Sequence, residues 1–269
     1  SFWDHLEEFR WTLIRIIIGI AVFTVVGLII MPKIFDSVIL APRSSDFVTY
    51  RFLENASKYI PFMPDFSAQS FNVKILNINM TTQFMTYIST SFAFAILLSI
   101  PYVLYQIWKF VSPALYENEI KGVKKAFAFG GVMFILGCLV GYFIVFPLIF
   151  RFLITFELSE SIENMISLDS YMSNFYTLIL IMGVVFELPL LCWLLSNLGL
   201  IYRSFFKKYR RHAIVGALLL AALITPSGDP FSLFVVTIPL YLLWEISALV
   251  VKKDPVEEPG QEIVQTVFE

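Results

Sequence analysis

Charged side chains are scarce in this sequence: Asp, Glu, Lys and Arg together make up 15% of its 269 residues. A soluble globular protein has about 25%, whereas here 58% of the residues are hydrophobic and the mean hydropathy is +0.78. The net charge of −2 also gives no strongly basic surface for nucleic acid. These shortages exclude a soluble domain and a nucleic-acid-binding protein and predict an integral membrane protein, which the long apolar runs described below make all-α.

Residues that support catalysis or metal binding are also few. The two cysteines, Cys138 and Cys192, lie inside apolar runs, which favours packing over a disulfide or a metal site. The two histidines, His5 and His212, lie on different segments, and no glycine-rich phosphate loop is present. Ser227-Gly228-Asp229 resembles part of an intramembrane aspartyl protease motif, but the preceding glycine and a partner aspartate in another span are missing. The sequence therefore predicts neither an enzyme nor a bound cofactor or metal.

Long apolar runs, by contrast, recur along the chain, and a helix needs about 20 such residues to cross a bilayer. The fourth run contains Glu187 and Pro189, which predict a kinked helix, and the sixth is predicted to be broken at Pro239 and Glu245. The fifth run is short and reaches only about two-thirds of a ~30 Å hydrocarbon core. Six transmembrane helices are therefore predicted, with short fifth and sixth spans. Their approximate ranges are 11–32, 82–108, 126–150, 171–195, 212–225 and 231–251.

The segments between these spans predict the arrangement in the membrane. Most of the 19 Lys and Arg residues flank one side, so the positive-inside rule predicts that both termini are cytoplasmic. Residues 33–81 form a long external loop with some local structure, and residues 254–269 form a disordered cytoplasmic tail rich in Glu and Pro. Residues 1–253 thus make a single six-helix membrane domain. Gly137-x-x-x-Gly141 in the third span permits close packing on a neighbouring helix.

A short polar loop between the second and third spans contains Phe110-Val111-Ser112-Pro113-Ala114-Leu115-Tyr116-Glu117-Asn118-Glu119. Pro113 lacks an N–H and disfavours helix at Ser112, so the second helix is predicted to end here. A plain helix–helix connector would explain the polar residues, but this loop also keeps aromatic and aliphatic residues beside its acids. A second motif of acids and aromatics opens the chain, from Phe2 to Arg10.

Together the two motifs resemble the TatC family, the membrane receptor of twin-arginine protein export. The family's N-terminal signature, His-Leu-x-Glu-Leu-Arg, is matched from His5 to Arg10 with Phe9 in place of leucine. Its first-loop signature, aromatic-x-x-Pro-x-Leu-Tyr-x-x-Glu, is matched from Phe110 to Glu119 at every position. Further matches, in order, are Phe146-Pro147-Leu148, Phe186-Glu187-Leu188-Pro189, Thr225-Pro226 with Asp229, and Pro239-Leu240-Tyr241 with Glu245.

The resemblance implies a core receptor subunit that binds the twin-arginine signal peptides of folded proteins at its cytoplasmic face. It also implies single-span TatA/TatB-type partner subunits, an oligomeric working complex in the bilayer of the cytoplasmic (inner) membrane, and the proton-motive force as the energy source. A carboxylate accepts a guanidinium in a bidentate pair, a geometry that lysine cannot match. By spacing alone, Glu8 or Glu119 is a solvated surface acid, but the resemblance places both on the signal-peptide surface. The other residues that it places there are Arg10, Phe110, Pro113 and Tyr116.

The fourth span contains the costliest residue, Glu187, because an acid in mid-span costs about 2.5–3.5 kcal/mol on insertion scales. Two roles fit it: a protonated carboxyl bonded within its own bundle, or, with Pro189, a polar contact for a partner's membrane helix or a translocating segment. The resemblance favours the second. The alternative function is a proton-coupled small-solute transporter using Glu187, although few polar residues lie near it and no internal repeat is found. Further candidate site residues are Pro42, Asp229 and Glu245, of which the last two also fit structural roles.

Overall fold

The computed structural model of the chain describes residues 2–57, 73–114, 117–156, 159, 165–197, 199–225 and 227–254, with the backbone alone at 2, 4, 56, 57, 114 and 117–123. The α-helices in these ranges are α1 (Phe2–Ile34), α2 (Val48–Ser57), α3 (Thr82–Val111), α4 (Glu117–Val140), α5 (Phe146–Thr155), α6 (Leu168–Val185), α7 (Leu188–Asn197), α8 (Arg203–Lys208), α9 (Arg210–Ile224) and α10 (Pro230–Val250). Two short strands are β1 (Ile75–Leu76) and β2 (Ile166–Ser167). Apart from Asp254, the tail predicted to be disordered lies outside the described residues.

The lengths and the hydropathy of these helices confirm the predicted all-α membrane fold. Within the described ranges, five stretches are long and apolar enough to cross a membrane: His5–Arg43, Thr82–Val111, Lys124–Thr155, Leu168–Asn197 and Pro230–Val250. The fifth predicted span corresponds to α9, which has 15 residues. At ~1.5 Å per residue it extends only about 22 Å, so it is short of a ~30 Å hydrocarbon core, as predicted.

Helix interruptions were predicted in the fourth and the sixth spans, and the structure confirms only the one in the fourth. The fourth predicted span is kinked as expected, because α6 ends at Val185 and α7 begins only at Leu188. In the sixth, the predicted break was wrong: α10 runs continuously through Pro239 and Glu245. A proline removes only one helical N–H, and a helix packed on its neighbours tolerates that loss. At 21 residues, α10 is nevertheless shorter than the other four membrane-length stretches.

The core centres on α6, with further buried residues from α5, α9 and α10, and α4 packs closely on α6. A Cβ built at Gly137 would lie 2.5 Å from the carbonyl oxygen of Met182, and one built at Gly141 would lie 2.9 Å from Ile179 Cα. Only glycine permits the two helix backbones to come this close. The close packing predicted from the glycine spacing is therefore confirmed.

The described parts of the long loop after α1 contain regular structure. A π-helical turn at Phe35–Ile39 and a 3-10 turn at Ala41–Arg43 precede α2, and β1 then pairs in parallel with β2, which joins this loop to the one before α6. Pro42 is buried, and the Tyr50 hydroxyl lies 3.1 Å from its carbonyl oxygen and 3.0 Å from that of Pro147. Pro42 thus helps to hold the loop on the end of the helix bundle.

Candidate functional site

The two sequence motifs meet in the structure. Phe110 lies in the last turn of α3, and the ring of His5 on α1 stacks on it with centroids 4.7 Å apart and an interplanar angle of 28°. The ring of Phe9 lies 5.5 Å from the same ring. We call these three side chains the aromatic junction. It joins the N-terminal motif to the first-loop motif at one end of the molecule.

His5 and Phe9 were not among the candidate site residues proposed from the sequence. The signal that could have found them is their spacing, because rings four residues apart share one face of a helix. Phe9 is also the position where the chain departs from the family signature. Here an aromatic ring meets another aromatic ring, a contact that contributes about 0.5–1.5 kcal/mol beyond its buried area.

Pro113 determines where α3 ends and the loop beside the aromatic junction begins. Helix α3 ends at Val111, a 3-10 turn covers Ser112–Ala114 with Pro113 exposed, and α4 begins at Glu117, so the predicted helix end is confirmed. Tyr116 lies outside the described residues. Glu119 lies in the first turn of α4, where the backbone alone is described.

Glu8 is exposed on α1. It lies three residues after His5 and one before Phe9, so it emerges beside the helix face that meets Phe110. The carboxylate is therefore open to solvent next to the aromatic junction. This position allows it to contact a bound peptide.

Arg10 is not brought to the aromatic junction. Its guanidinium lies 3.9 Å from the carboxylate of Glu7, and the two side chains are 67% and 66% exposed. It also lies 5.8 Å from the centroid of the Trp11 ring. Exposed ion pairs contribute about 0–1 kcal/mol, so these contacts hold Arg10 only weakly.

Glu187 lies at the break between α6 and α7. Its backbone N–H donates to the carbonyl of Val184 at 3.1 Å, and its carbonyl accepts from the N–H of Leu191 at 3.0 Å. Both side-chain oxygens are shielded from solvent and have no hydrogen-bond partner among the described residues, and Pro189 beside it is buried. Because an unsatisfied buried polar group is costly, Glu187 presents unmet hydrogen-bonding capacity within the bundle.

Helix α4 makes room for this side chain at Gly130. A Cβ built there would lie 2.8 Å from Oε2 of Glu187 and 2.5 Å from Cδ2 of Leu190. The absence of a side chain at Gly130 thus lets the carboxyl group lie against α4. The sequence did not indicate this contact, because it joins two helices that are distant along the chain.

Asp229 caps the N-terminus of α10. Its carboxylate accepts hydrogen bonds from the backbone N–H of Ser232 at 2.8 Å and from the hydroxyl of Ser227 at 2.6 Å. Burial acts to raise the pKa of Asp229, but the hydrogen bonds from Ser227 and Ser232 outweigh it and lower the pKa below its usual value. The arrangement is that of an N-cap, so a structural role accounts for this candidate residue.

Glu245 links α9 and α10. Its carboxylate lies 2.7 Å from the guanidinium of Arg210 and accepts a hydrogen bond from the Tyr241 hydroxyl at 2.9 Å. Charge-assisted hydrogen bonds of this length are strong ones. Glu245 therefore holds the short α9 against α10.

Comparison with known proteins identifies the family. The family described as "Sec-independent protein translocase protein (TatC)" matches residues 4–239. Relatives with the name "Sec-independent protein translocase protein TatC" include one from Blattabacterium sp. subsp. Periplaneta americana, which is 38% identical over 247 residues covering 91% of this chain and 92% of the relative. Another, from Desulforapulum autotrophicum, is 32% identical over 266 residues covering 97% and 89%.

Solved structures agree with the sequence relatives. A crystal structure described as the twin-arginine translocase receptor TatC superposes with a TM-score of 0.68 at 28% identity and covers 91% of this chain and 97% of that one. A second, in the detergent DDM, gives 0.69 at 28% identity and covers 92% and 99%. The chain therefore belongs to the TatC family and is a multi-pass membrane subunit of the twin-arginine protein translocation pathway.

Proposed function

We propose that this protein is the core receptor of the pathway, which binds twin-arginine signal peptides at its cytoplasmic face and assembles the translocase with single-span TatA/TatB-type subunits. The observation that carries the proposal is the aromatic junction, because it holds the N-terminal motif beside the first-loop motif. A peptide bound there can contact acids from both motifs at once. The crystal structures that share the fold are themselves described as a receptor.

The orientation that we propose places the aromatic junction in the cytoplasm. The first-loop motif is followed by Lys121, Lys124 and Lys125, and the connector before α9 contains further basic residues, including those of α8. The positive-inside rule assigns such segments to the cytoplasmic side. With α9 as a short fifth span, the chain would cross the membrane six times and both termini would be cytoplasmic.

Glu8 and Glu119 are the proposed readers of the arginine pair. A carboxylate binds a guanidinium through two parallel hydrogen bonds, and an ammonium group cannot reproduce that geometry. A hydrogen bond to a charged group contributes about 1.5–3 kcal/mol, so removal of either acid should weaken peptide binding roughly 10- to 150-fold. The lower end is expected because Glu8 is exposed and is screened by salt.

The test measures the affinity of the detergent-solubilised protein for a signal peptide with two arginines and for the same peptide with two lysines. The wild type should bind the lysine peptide much more weakly. The Glu8→Ala/Glu119→Ala double variant should bind both peptides with similar affinity, because the groups that distinguish them are gone. Glu119→Gln should weaken binding nearly as much as Glu119→Ala, because the amide lacks the charge.

Glu7→Ala is the matched control, since Glu7 is an exposed acid of the same helix whose carboxylate lies 3.9 Å from the guanidinium of Arg10. It should leave the discrimination between the two peptides unchanged. If the lysine peptide is penalised equally in the wild type and the double variant, Glu8 and Glu119 are not the arginine readers.

Glu187 is the proposed polar contact for a partner's membrane helix or for a translocating segment. Its two shielded oxygens lack partners within the described part of the bundle, and the missing side chain at Gly130 lets the carboxyl group lie against α4. A donor on an incoming helix would satisfy them and would remove the cost of an unpaired polar group in the membrane.

A further inference from the structure

A cavity of about 390 Å³ opens at the end of the bundle remote from the aromatic junction, where α1 ends and where α3 and α6 begin. This volume lies within the range of about 300–1,000 Å³ that is typical of ligand pockets. The apolar part of its wall includes Met31, Phe35 and Leu168, and its polar part includes Asp36 and Arg43. Since the apolar run of α1 ends beside it, the cavity lies at the depth where the hydrocarbon core meets the lipid head groups.

Arg43 is a half-buried cation whose guanidinium has no hydrogen bond or ion pair with any described residue. The nearby Arg51, in contrast, lies 3.2 Å from the carboxylate of Asp46. A cation that has lost part of its hydration shell requires a counter-charge. Arg43 therefore offers a cation for binding an anion at the wall of the cavity.

The backbone holds Arg43 in place. Its N–H donates to the carbonyl of Leu40 at 3.1 Å, and its carbonyl accepts from the N–H of Val73 at 3.3 Å. The preceding residue, Pro42, is buried and is hydrogen-bonded through its carbonyl to Tyr50. The backbone from which this side chain extends is thus fixed before any ligand arrives, which lowers part of the entropic cost of binding.

Asp36 supplies the opposite charge in the same cavity. Its side chain is exposed, and it forms no ion pair with Arg43 among the contacts of the described residues. One cation and one anion that are not paired with each other suit a ligand that carries both charges. A phosphate with a primary amine a few bonds away has this pattern.

We propose that this cavity binds the head group of a phosphatidylethanolamine lipid from the surrounding leaflet. The Arg43 guanidinium holds the phosphate through a bidentate pair, and the Asp36 carboxylate accepts hydrogen bonds from the ammonium group. The apolar wall at Met31 and Phe35 contacts the glycerol and the first carbons of the acyl chains. The lipid would thus fill the space between the ends of α1 and α3.

The test is native mass spectrometry of the full chain, with phosphatidylethanolamine or phosphatidylglycerol titrated into the detergent. Arg43→Gln should bind phosphatidylethanolamine about tenfold more weakly than the wild type. Arg51→Gln, the matched control on the same loop, should bind as the wild type does. Asp36→Asn should weaken binding of phosphatidylethanolamine but not of phosphatidylglycerol, because the second lipid has no amine.

A second variant keeps both charges and reduces the space. Asn77 is an exposed residue of the cavity wall, so Asn77→Trp should obstruct the cavity and lower lipid binding even if Arg43→Gln fails to fold. Wild-type affinity for phosphatidylethanolamine in either Arg43→Gln or Asn77→Trp would overturn the proposal. Competition by millimolar inorganic phosphate as effective as that by intact lipid would also overturn it, because the site would then bind a soluble anion. If Asp36→Asn weakened the binding of both lipids equally, the proposed contact between Asp36 and the ammonium group would be overturned.

Discussion

Replacing Gly137 by alanine tests the close packing of α4 on α6. The added methyl group would lie 2.5 Å from the carbonyl oxygen of Met182 and 2.7 Å from Cβ of Phe186. These atoms belong to the backbone or adjoin it, so they can move away only if the helices separate. Overpacking of this kind costs about 1–3 kcal/mol, and the backbone contact places Gly137→Ala at the upper end, about 2–3 kcal/mol.

Gly216→Ala is the matched control, because a methyl group there meets no atom within 4 Å. Both glycines are helical, so both variants gain the propensity of alanine over glycine, roughly 0.8–1.0 kcal/mol, and this gain cancels in the comparison. At about 2–4 °C per kcal/mol for a chain of this size, the melting temperature of Gly137→Ala should lie about 4–12 °C below that of Gly216→Ala.

The assay is thermal unfolding of both variants in one detergent, followed by tryptophan fluorescence. Each variant should first be shown to purify as the same species as the wild type. Equal melting temperatures for Gly137→Ala and Gly216→Ala would refute the inference that the two helix backbones are in contact at Gly137.

Three further predictions concern the other candidate residues. Glu187→Gln should retain most crosslinking to single-span partners and most export, because the amide forms similar hydrogen bonds. Glu187→Leu should lose both. Full activity of Glu187→Leu would show that the role of Glu187 is structural. An active Glu187→Gln would also exclude the proton-coupled transporter, since an amide does not titrate. Cysteines introduced singly along α9 and for several residues on either side of it, with the native cysteines replaced, should be protected from a water-soluble thiol reagent over no more than about 15 residues. Protection over about 20 residues would contradict a short span beside a thinned bilayer. Asp229→Ala should cost about 0.5–2 kcal/mol at pH 7 and Asp229→Ser much less, because serine also caps helices. Since the pKa of Asp229 is lowered, its contribution is complete above the ordinary value of about 3.9 and is lost as the pH falls through the lowered value. A gap between wild type and Asp229→Ala that stays constant from pH 7 to pH 3 would argue against the cap.

The sequence by itself determined the class of fold and most helix positions. The apolar runs identified the membrane-length helices, and Pro113 marked the end of α3, because hydropathy and the missing N–H of proline act within one helix. The spacing of Gly137 and Gly141 likewise predicted close packing on a neighbouring helix, which the structure shows to be α6. Motif order along the chain was enough to identify the family, since each motif is local.

Only the tertiary structure decided which of these residues meet. It placed His5 and Phe9 on Phe110, which lies about a hundred residues away, and it placed the Glu187 carboxyl against Gly130. It also showed that α10 continues through Pro239. Such outcomes depend on how separate helices pack, and packing energies come from contacts between residues distant in sequence, which hydropathy and helical periodicity do not encode.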